Sequence, residues 1–391
     1  MGLIGPVSDK FKRARTFAEL LGTLTADGGW QHVQAALARI TSADVAACLA
    51  KPAWDVADLP VLLAPADDAF LETLAQRAHA LTLQRFGRVI ALYVPLYVSN
   101  HCQNLCAYCG FNARNDMARQ ALTLDEAEAE SHLLHEMGFR HILLVSGQHQ
   151  RYAQVEYLAA LAGRLRHRFA SVNIEVKPLT TDEYQCLIAA GVDGVICYQE
   201  TYHPATYATV HLGGPKRDYD WRLATLERAA QAGVRKIGLS PLYGLDDWRV
   251  EAWCTGLHAA FLMQRFWQTQ ISISFPRLRG AAGGVQPLCP LSDHGLAHLI
   301  CAFRLVFPDA QLVLSTREPA ALRDRLLPLG ITHMSAASRT SPFGYSQVHD
   351  SGEQFDVMDT RSASEVAAAI AAAGYDPVWK DWDETYLSAT A

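Results

Sequence analysis

The sequence predicts a (β/α)8 barrel of the TIM type, with a helical extension before it and a tail after it. One short unit recurs: a helix-like segment, a glycine, then a β-branched apolar run. It occurs as MGFRHILLVS (137–146), AGVDGVICYQ (190–199), AGVRKIGLS (232–240) and LGITHMSAA (329–337). The glycine suits the left-handed position just past a helix. The run after it suits a strand covered on both faces. The second observation is the count. Eight strand candidates alternate with helices over residues 86–345, the size of a closed barrel. An open doubly wound sheet shares the alternation, but count and length favour closure.

Taken in order, residues 1–85 lack the repeating unit. They predict helices over Trp30–Ile40, Ser42–Ala50 and Asp67–Arg85, packed outside or across the barrel. The first strand spans Val89–Tyr97. Pro95 lacks a ladder donor, so it is placed near the C-terminal end of that strand. The helix Leu124–Met137 opens with a capping box, Thr123 followed by Glu126. Four strands lie in the repeated units, and Val172–Lys177, Ile271–Phe275 and Gln311–Ser315 complete the set. Helices run over 153–168, 181–190, 219–232, 248–268, 292–306, 318–328 and 362–373. Residues 346–391 form a tail packing on the barrel, with an Ala-rich helix and the aromatic, charged end VWKDWDETY.

Composition narrows the function. The chain has 391 residues, half of them apolar, enough for one large core. Lys plus Arg is 34 and Asp plus Glu is 40, a net charge of −6 with no basic block, which argues against nucleic-acid binding. The longest apolar runs, such as Val89–Val98, fall short of a membrane span. No secretory signal opens the chain, so a cytoplasmic location is expected. Nine cysteines are not spaced as a disulfide framework and are expected to be reduced.

The chemistry concentrates in VPLYVSNHCQNLCAYCGFNA (94–113). Cys102, Cys106 and Cys109 fall at C-x3-C-x2-C directly after the first strand. In such barrels the loops at the strands' C-terminal ends carry the active site. Three thiolates can hold three irons of a cubane and leave the fourth without a protein ligand. Electron-transfer clusters usually use four cysteines, and structural zinc wants four ligands. No fourth cysteine lies nearby, and His101, adjacent to Cys102, should point to the other side. A structural zinc loop stays open as the alternative. Cysteines 48, 186, 197, 254, 289 and 301 are scattered and read as small hydrophobes.

The spacing with Tyr108 before the last cysteine resembles the radical S-adenosylmethionine superfamily. That resemblance implies a [4Fe-4S] cluster whose open iron chelates S-adenosyl-L-methionine, with Tyr108 near the adenine. A narrower likeness rests on LYVSNHCQNLCAYCGF, LLVSGQHQ, YQETYH, DWRLATLERAAQAGVRKIGLSPLYGL, SFPRLR, LSTRE and VWKDWD. Together, in this order and across nearly the whole chain, they resemble the 2-iminoacetate synthase family of thiamine thiazole biosynthesis. The family takes a hydrogen atom from the amino group of L-tyrosine. The Cα–Cβ bond then breaks to give p-cresol and 2-iminoacetate, with 5′-deoxyadenosine and methionine. The likeness implies thiazole synthase as the acceptor of the imine and a flavodoxin or ferredoxin-type electron donor.

The likeness also implies residue roles. Ser146, Gly147 and Gln148 end the second strand where related enzymes hold the methionyl amino group. Gln148 stands where the family usually has Glu, and an amide lacks the charge that strengthens such a bond. Glu200 resembles the acid that takes the ribose hydroxyls. Its alternative is a helix-start cap, since Thr201 and Pro204 follow. Arg222 aligns with the arginine that pairs the cofactor carboxylate, against a solvated helix arginine beside core Leu223 and Leu226. Arg317, after the seventh strand, fits the substrate carboxylate through a two-pronged grip. Tyr97 and Ser335 or Ser338 would add hydroxyl donors, while Tyr97 equally suits a barrel-lining aromatic. Arg277 and Arg279 are runner-up cations.

Three other activities remain. A tryptophan lyase would share the carboxylate grip. A relative that makes carbon monoxide and cyanide from tyrosine carries further C-terminal cysteines, whereas none follows Cys301 here. A non-catalytic iron–sulfur or zinc protein is the third, and Gln148 is the residue that favours it.

Overall fold

The computed structural model describes residues 10–383 apart from 12, 26–28, 66, 282–283, 347–351 and 382. Eight parallel strands run β1 Val89–Ser99, β2 His141–Ser146, β3 Ser171–Glu175, β4 Gly194–Ile196, β5 Lys236–Leu239, β6 Gln270–Ser274, β7 Gln311–Leu314 and β8 His333–Ser335. Each pairs with the next, β8 pairs with β1, and β1 pairs with β2, so the sheet is a closed barrel. The expected repeat has its expected cause. Gly138, Gly191, Gly233 and Gly330 lie between a helix and its strand with φ of 102°, 113°, 90° and 138°, where a side chain would be strained. The strands' outward residues, such as Ile142, Ile174 and Ile237, are fully buried against the helices.

The N-terminal helices lie against the barrel's outer helices. Phe17, Leu20, Trp30, Val33 and Leu37 form a second apolar cluster with Trp253, Leu257 and Phe261 of the helix Trp248–Arg265. Phe17 stacks on His258 at 4.0 Å between ring centres. The capping box at Thr123 and Glu126 is present, with the Glu126 carboxylate accepting from the Thr123 N–H at 2.8 Å.

Several elements differ from expectation. Pro95 sits mid-strand, paired with Leu143 in an eleven-residue β1, not near its end. The β8 pairing stops at Tyr93, and the Pro95 carbonyl accepts from the Tyr345 hydroxyl at 2.7 Å. Both backbone polar groups of a strand residue point to one side, so the missing N–H faces a gap in the ladder and costs no strand bond. The helix expected over 219–232 breaks at Ala224 into Tyr219–Leu223 and Thr225–Gln231. Helices at Phe17–Thr25, Leu59–Leu62 and Pro204–Val210 were not anticipated.

A short strand, β9 Asp376–Val378, pairs parallel with the start of β1. Just beyond it, Asp381 reaches the N-terminal end of the barrel. Its carboxylate lies 2.9 Å from His141 Nε2 and 3.5 Å from His333 Nε2. These histidines open β2 and β8, so the tail closes the barrel floor; residues 382 and 384–386 of VWKDWDETY lie outside the described residues. Arg323 and Asp359 form a fully buried ion pair beside β8, and Arg323 also donates to the Ser335 carbonyl.

Candidate active site

The cysteine loop leaves the C-terminal end of β1 and is tied down on every side by its backbone. Gln103 N–H donates to the Gln148 carbonyl at 2.9 Å, and Ala107 N–H to the Val210 carbonyl at 2.8 Å. Leu105 N–H donates to the Gly213 carbonyl at 2.9 Å, its own carbonyl accepts from Leu212 N–H at 3.0 Å, and Gly110 N–H reaches the Gln354 carbonyl at 2.9 Å. Gly147 N–H donates to the Ser99 carbonyl at 2.9 Å. A Cβ on Gly147 would lie 3.0 Å from the His101 carbonyl carbon and 3.1 Å from Cys102 Cβ, so the two loops meet only because residue 147 has no side chain.

Cys102, Cys106 and Cys109 are free thiols close enough to influence one another's ionisation. Burial pushes Cys109 up to about 12, and neighbouring Cys106 and Cys102 add to the rise. Burial also raises Cys106. Such thiols ionise only with a cation to hold, which is what iron ligation supplies. Asn104 Nδ2 lies 3.6 Å from Cys102 Sγ and donates to Gln148 Oε1 at 3.0 Å. His101 stacks on Tyr152 at 3.9 Å between ring centres. Structural zinc wants four ligands, and this loop offers three cysteines. A cubane spreads its thiolates over three irons, and this donor set of three cysteines fits it.

Glu200 follows β4 with an unusual φ of 72°. It does not cap the next helix, whose N-cap is His203. Its carboxylate lies 2.6 Å from Lys216 Nζ and 3.3 Å from Arg222 Nη2. Burial alone would raise the Glu200 carboxyl, but Lys216 and Arg222 overcome it and hold it at about 2. Arg222 is not a solvated helix residue: Nε donates to the Tyr198 carbonyl at 2.7 Å, while Leu223 and Leu226 are core. Tyr108 is buried, its hydroxyl 2.7 Å from His211 Nε2 and its ring under Lys216 Nζ at 5.5 Å. Lys216 carried no sequence signal beyond the two glycines before it.

Below this rim a cavity opens into the barrel. Its lining includes Tyr93, Tyr97, Glu175, Tyr198, Arg317 and Phe355. The Arg317 guanidinium stacks on the Phe355 ring at 3.3 Å, and no carboxylate pairs with it among the described residues. Arg277 and Arg279, the runner-up cations, are engaged elsewhere: both pair with buried Glu318, and Arg277 also with Asp293 at 2.8 Å. Arg279 Nε donates to the Arg317 carbonyl at 2.9 Å and so braces the residue it was a substitute for. Tyr97 lines the barrel and donates its hydroxyl to Gln354 Oε1 at 2.6 Å. Ser335 Oγ accepts from the Thr316 N–H at 3.1 Å. Ser338 Oγ is buried, faces the cavity and has no partner among the described residues. Sequence reasoning missed Glu175, Tyr198, Gln354 and Phe355; only Glu175, an acid closing the apolar run VNIE, was detectable.

Residues 96–254 match the model of the Radical SAM superfamily, and residues 274–376 that of the Biotin and Thiamin Synthesis associated domain. The chain is 47% identical to the 2-iminoacetate synthase of Escherichia coli (strain K12) over 361 residues, covering 92% of this chain and 95% of that one. It belongs to the 2-iminoacetate synthase family. The 2-iminoacetate synthase of Salmonella typhimurium is 44% identical, with 90% and 94% covered. Among solved structures, HydG, a maturase of the [FeFe]-hydrogenase, superposes with a TM-score of 0.85 at 29% identity, covering 93% of this chain and 84% of its own. A 2-iminoacetate synthase family member is a radical S-adenosylmethionine enzyme, and the barrel mouth described above is where its chemistry belongs. No helix of the described residues is long and apolar enough to cross a membrane.

Proposed function

We propose that this chain cleaves the Cα–Cβ bond of L-tyrosine to 2-iminoacetate and p-cresol, with 5′-deoxyadenosine and methionine as coproducts, for the thiazole of thiamine. The observation that carries the reading is Arg317: a guanidinium with no carboxylate partner among the described residues, in the cavity of a barrel whose first strand leads into the three-cysteine loop. Bound together, a [4Fe-4S] cluster and S-adenosylmethionine supply the hydrogen-abstracting 5′-deoxyadenosyl radical.

The chain's own residues hold and orient. Cys102, Cys106 and Cys109 ligate three irons. Ser146, Gly147 and Gln148 offer acceptors to the methionyl amino group, and Arg222 pairs its carboxylate. Glu200, kept ionised, accepts from the ribose hydroxyls. Tyr108 packs near the adenine. Arg317 grips the tyrosine carboxylate, with Ser338 and Tyr97 as hydroxyl donors and Ser335 supporting through Thr316. The closed floor and buried walls keep water from a reactive intermediate. Thiazole synthase takes the imine, a flavodoxin or ferredoxin-type protein supplies electrons, and the reducing cytoplasm keeps the cysteines free of disulfides.

Anaerobic reconstitution with iron and sulfide, followed by reduction in the presence of S-adenosylmethionine and tyrosine, tests the reading. Tyrosine-dependent 5′-deoxyadenosine and p-cresol are expected. A loaded cluster yielding neither overturns the lyase assignment, and 5′-deoxyadenosine with tryptophan alone overturns the substrate.

A further inference from the structure

Glu175 is the last residue of β3, and none of the hydrogen bonds or ion pairs among the described residues ends on its carboxylate. It lines the same cavity as Arg317. Strands β3 and β7 are four apart in a ring of eight, so the carboxylate and the guanidinium enter from opposite walls. A cavity with an anion and a cation on facing walls, neither of them paired among the described residues, suits a zwitterion. The two walls are not equivalent. The cysteine loop, residues 146–148, Glu200 and Arg222 all belong to the β1–β4 half of the mouth, and Glu175 lies between them. With the substrate carboxylate on Arg317, the nitrogen that loses a hydrogen atom has to face that half.

We propose that Glu175 receives the substrate's α-ammonium group and removes one proton from it, making Glu175 a catalytic base of the lyase. This rests on the tyrosine-cleaving reading above. In the step, one N–H bond breaks and one O–H bond forms. The ammonium becomes a neutral amine and the carboxylate a carboxylic acid, with no electron gained or lost. A nitrogen lone pair is thereby available to stabilise the aminyl centre left by hydrogen-atom removal. A dry cavity favours the exchange, because it replaces two buried charges with two neutral groups. The carboxylic acid returns its proton to solvent before the next turnover.

The surroundings tune the group for this task. Burial, reinforced by Glu200, raises the Glu175 carboxyl to about 7, while Arg317, Arg222 and Lys216 pull it back. The hydroxyls of Tyr93, Tyr97 and Tyr198 face it from β1 and the β4 end, and burial keeps all three protonated. A base near neutrality matches the operating range of such catalysis.

Two measurements on the cluster-loaded enzyme with S-adenosylmethionine test this. The first is equilibrium binding of L-tyrosine and of 3-(4-hydroxyphenyl)propanoate, which lacks only the ammonium. Wild type is expected to bind tyrosine about 10-fold more tightly, and Glu175→Gln to bring the ratio close to 1. The second is the pH profile of kcat/KM for tyrosine-dependent 5′-deoxyadenosine. Wild type should lose activity below about pH 7 as Glu175 protonates. Glu175→Gln should fall by about 10²-fold and lose that acid limb, and Glu175→Asp should restore the limb at a shifted pH. An unchanged binding ratio, or an acid limb that survives in Glu175→Gln, overturns the assignment. Equal weakening of tyrosine and its desamino analogue, with phenylalanine unaffected, overturns it by placing Glu175 at the phenol. Wild-type p-cresol formation is scored in the same assay. Its absence overturns the lyase reading and this inference together, whereas its presence with unaltered Glu175→Gln behaviour overturns this inference alone.

Discussion

An alanine at position 147 has nowhere to put its methyl group. The added Cβ would sit 3.0 Å from the His101 carbonyl carbon and 3.1 Å from Cys102 Cβ, where apolar contacts prefer about 3.5–4.0 Å. The nearest atoms are backbone and cannot rotate aside. Bonds from Gly147 to Ser99 and from Gln103 to Gln148 hold both chains in place. The strain is relieved only by shifting the cysteine loop by about half an ångström, a cost of about 1–3 kcal/mol on the scale of overpacked cores. Urea unfolding of the metal-free protein should show Gly147→Ala destabilised by that amount. Iron bound after anaerobic reconstitution should fall below wild type, because Cys102 moves with the loop. Gly22→Ala is the control: it lies inside the helix Phe17–Thr25 with nothing within 4 Å of the new Cβ. It should be neutral or stabilising by about 0.5–1 kcal/mol. Wild-type stability and iron content in Gly147→Ala would refute the close-approach argument.

Other outcomes follow from named contacts. Arg317→Lys keeps the charge but loses the planar fork and the Phe355 stack, so steady-state kinetics should show KM for tyrosine rising about 10-fold, more than kcat falls; an unchanged KM would place the carboxylate elsewhere. Gln148→Glu adds a charge beside Asn104 Nδ2, and equilibrium binding of S-adenosylmethionine should tighten several-fold, the gain of a charge-assisted bond; equal or weaker binding counts against residue 148 as an amino-group acceptor. Arg323→Met breaks the buried pair with Asp359, which keeps Arg361, and should cost about 3 kcal/mol in urea unfolding; a loss under about 1 kcal/mol would contradict it. In the native state Asp381 is held below the ordinary carboxylate range, despite partial burial, by its bonds to His141 and His333. Its stabilising effect is therefore present above that range and fades as pH falls through it. Asp381→Asn should be less stable than wild type by about 1–2 kcal/mol at pH 7 and converge with it in acid. A gap that does not vary with pH would refute the linkage.

The barrel was legible because its punctuation is physical. A glycine that must turn left-handed after a helix, followed by apolar residues buried on both faces, leaves a trace at 138, 191, 233 and 330. The cysteine loop was legible through spacing alone. What escaped depended on partners far away in sequence. Arg277 and Arg279 looked as available as Arg317 until Glu318 claimed them both. Glu200 could have been a cap, and only Lys216 and Arg222, meeting it in space, give it another role. The break at Ala224 carries no glycine or proline, and β9 is too short for any periodicity to reveal. Pro95 was misplaced because a sequence cannot show that β8 stops two residues before it.

The pairing of β9 with the start of β1, and the reach of Asp381 to His141 and His333, also bear on how the chain is made. A ribosome adds about 5–20 residues per second, so several seconds separate the emergence of β8 from that of Asp381. During that interval the first strand has its barrel neighbours but not its last one, and the histidines at the floor lack their anion. The final fastening of the barrel therefore waits until more than forty residues after the eighth strand have been added. A chain truncated before residue 376 would complete all eight strands and still leave one end unlatched, a species for chaperones and proteases to find.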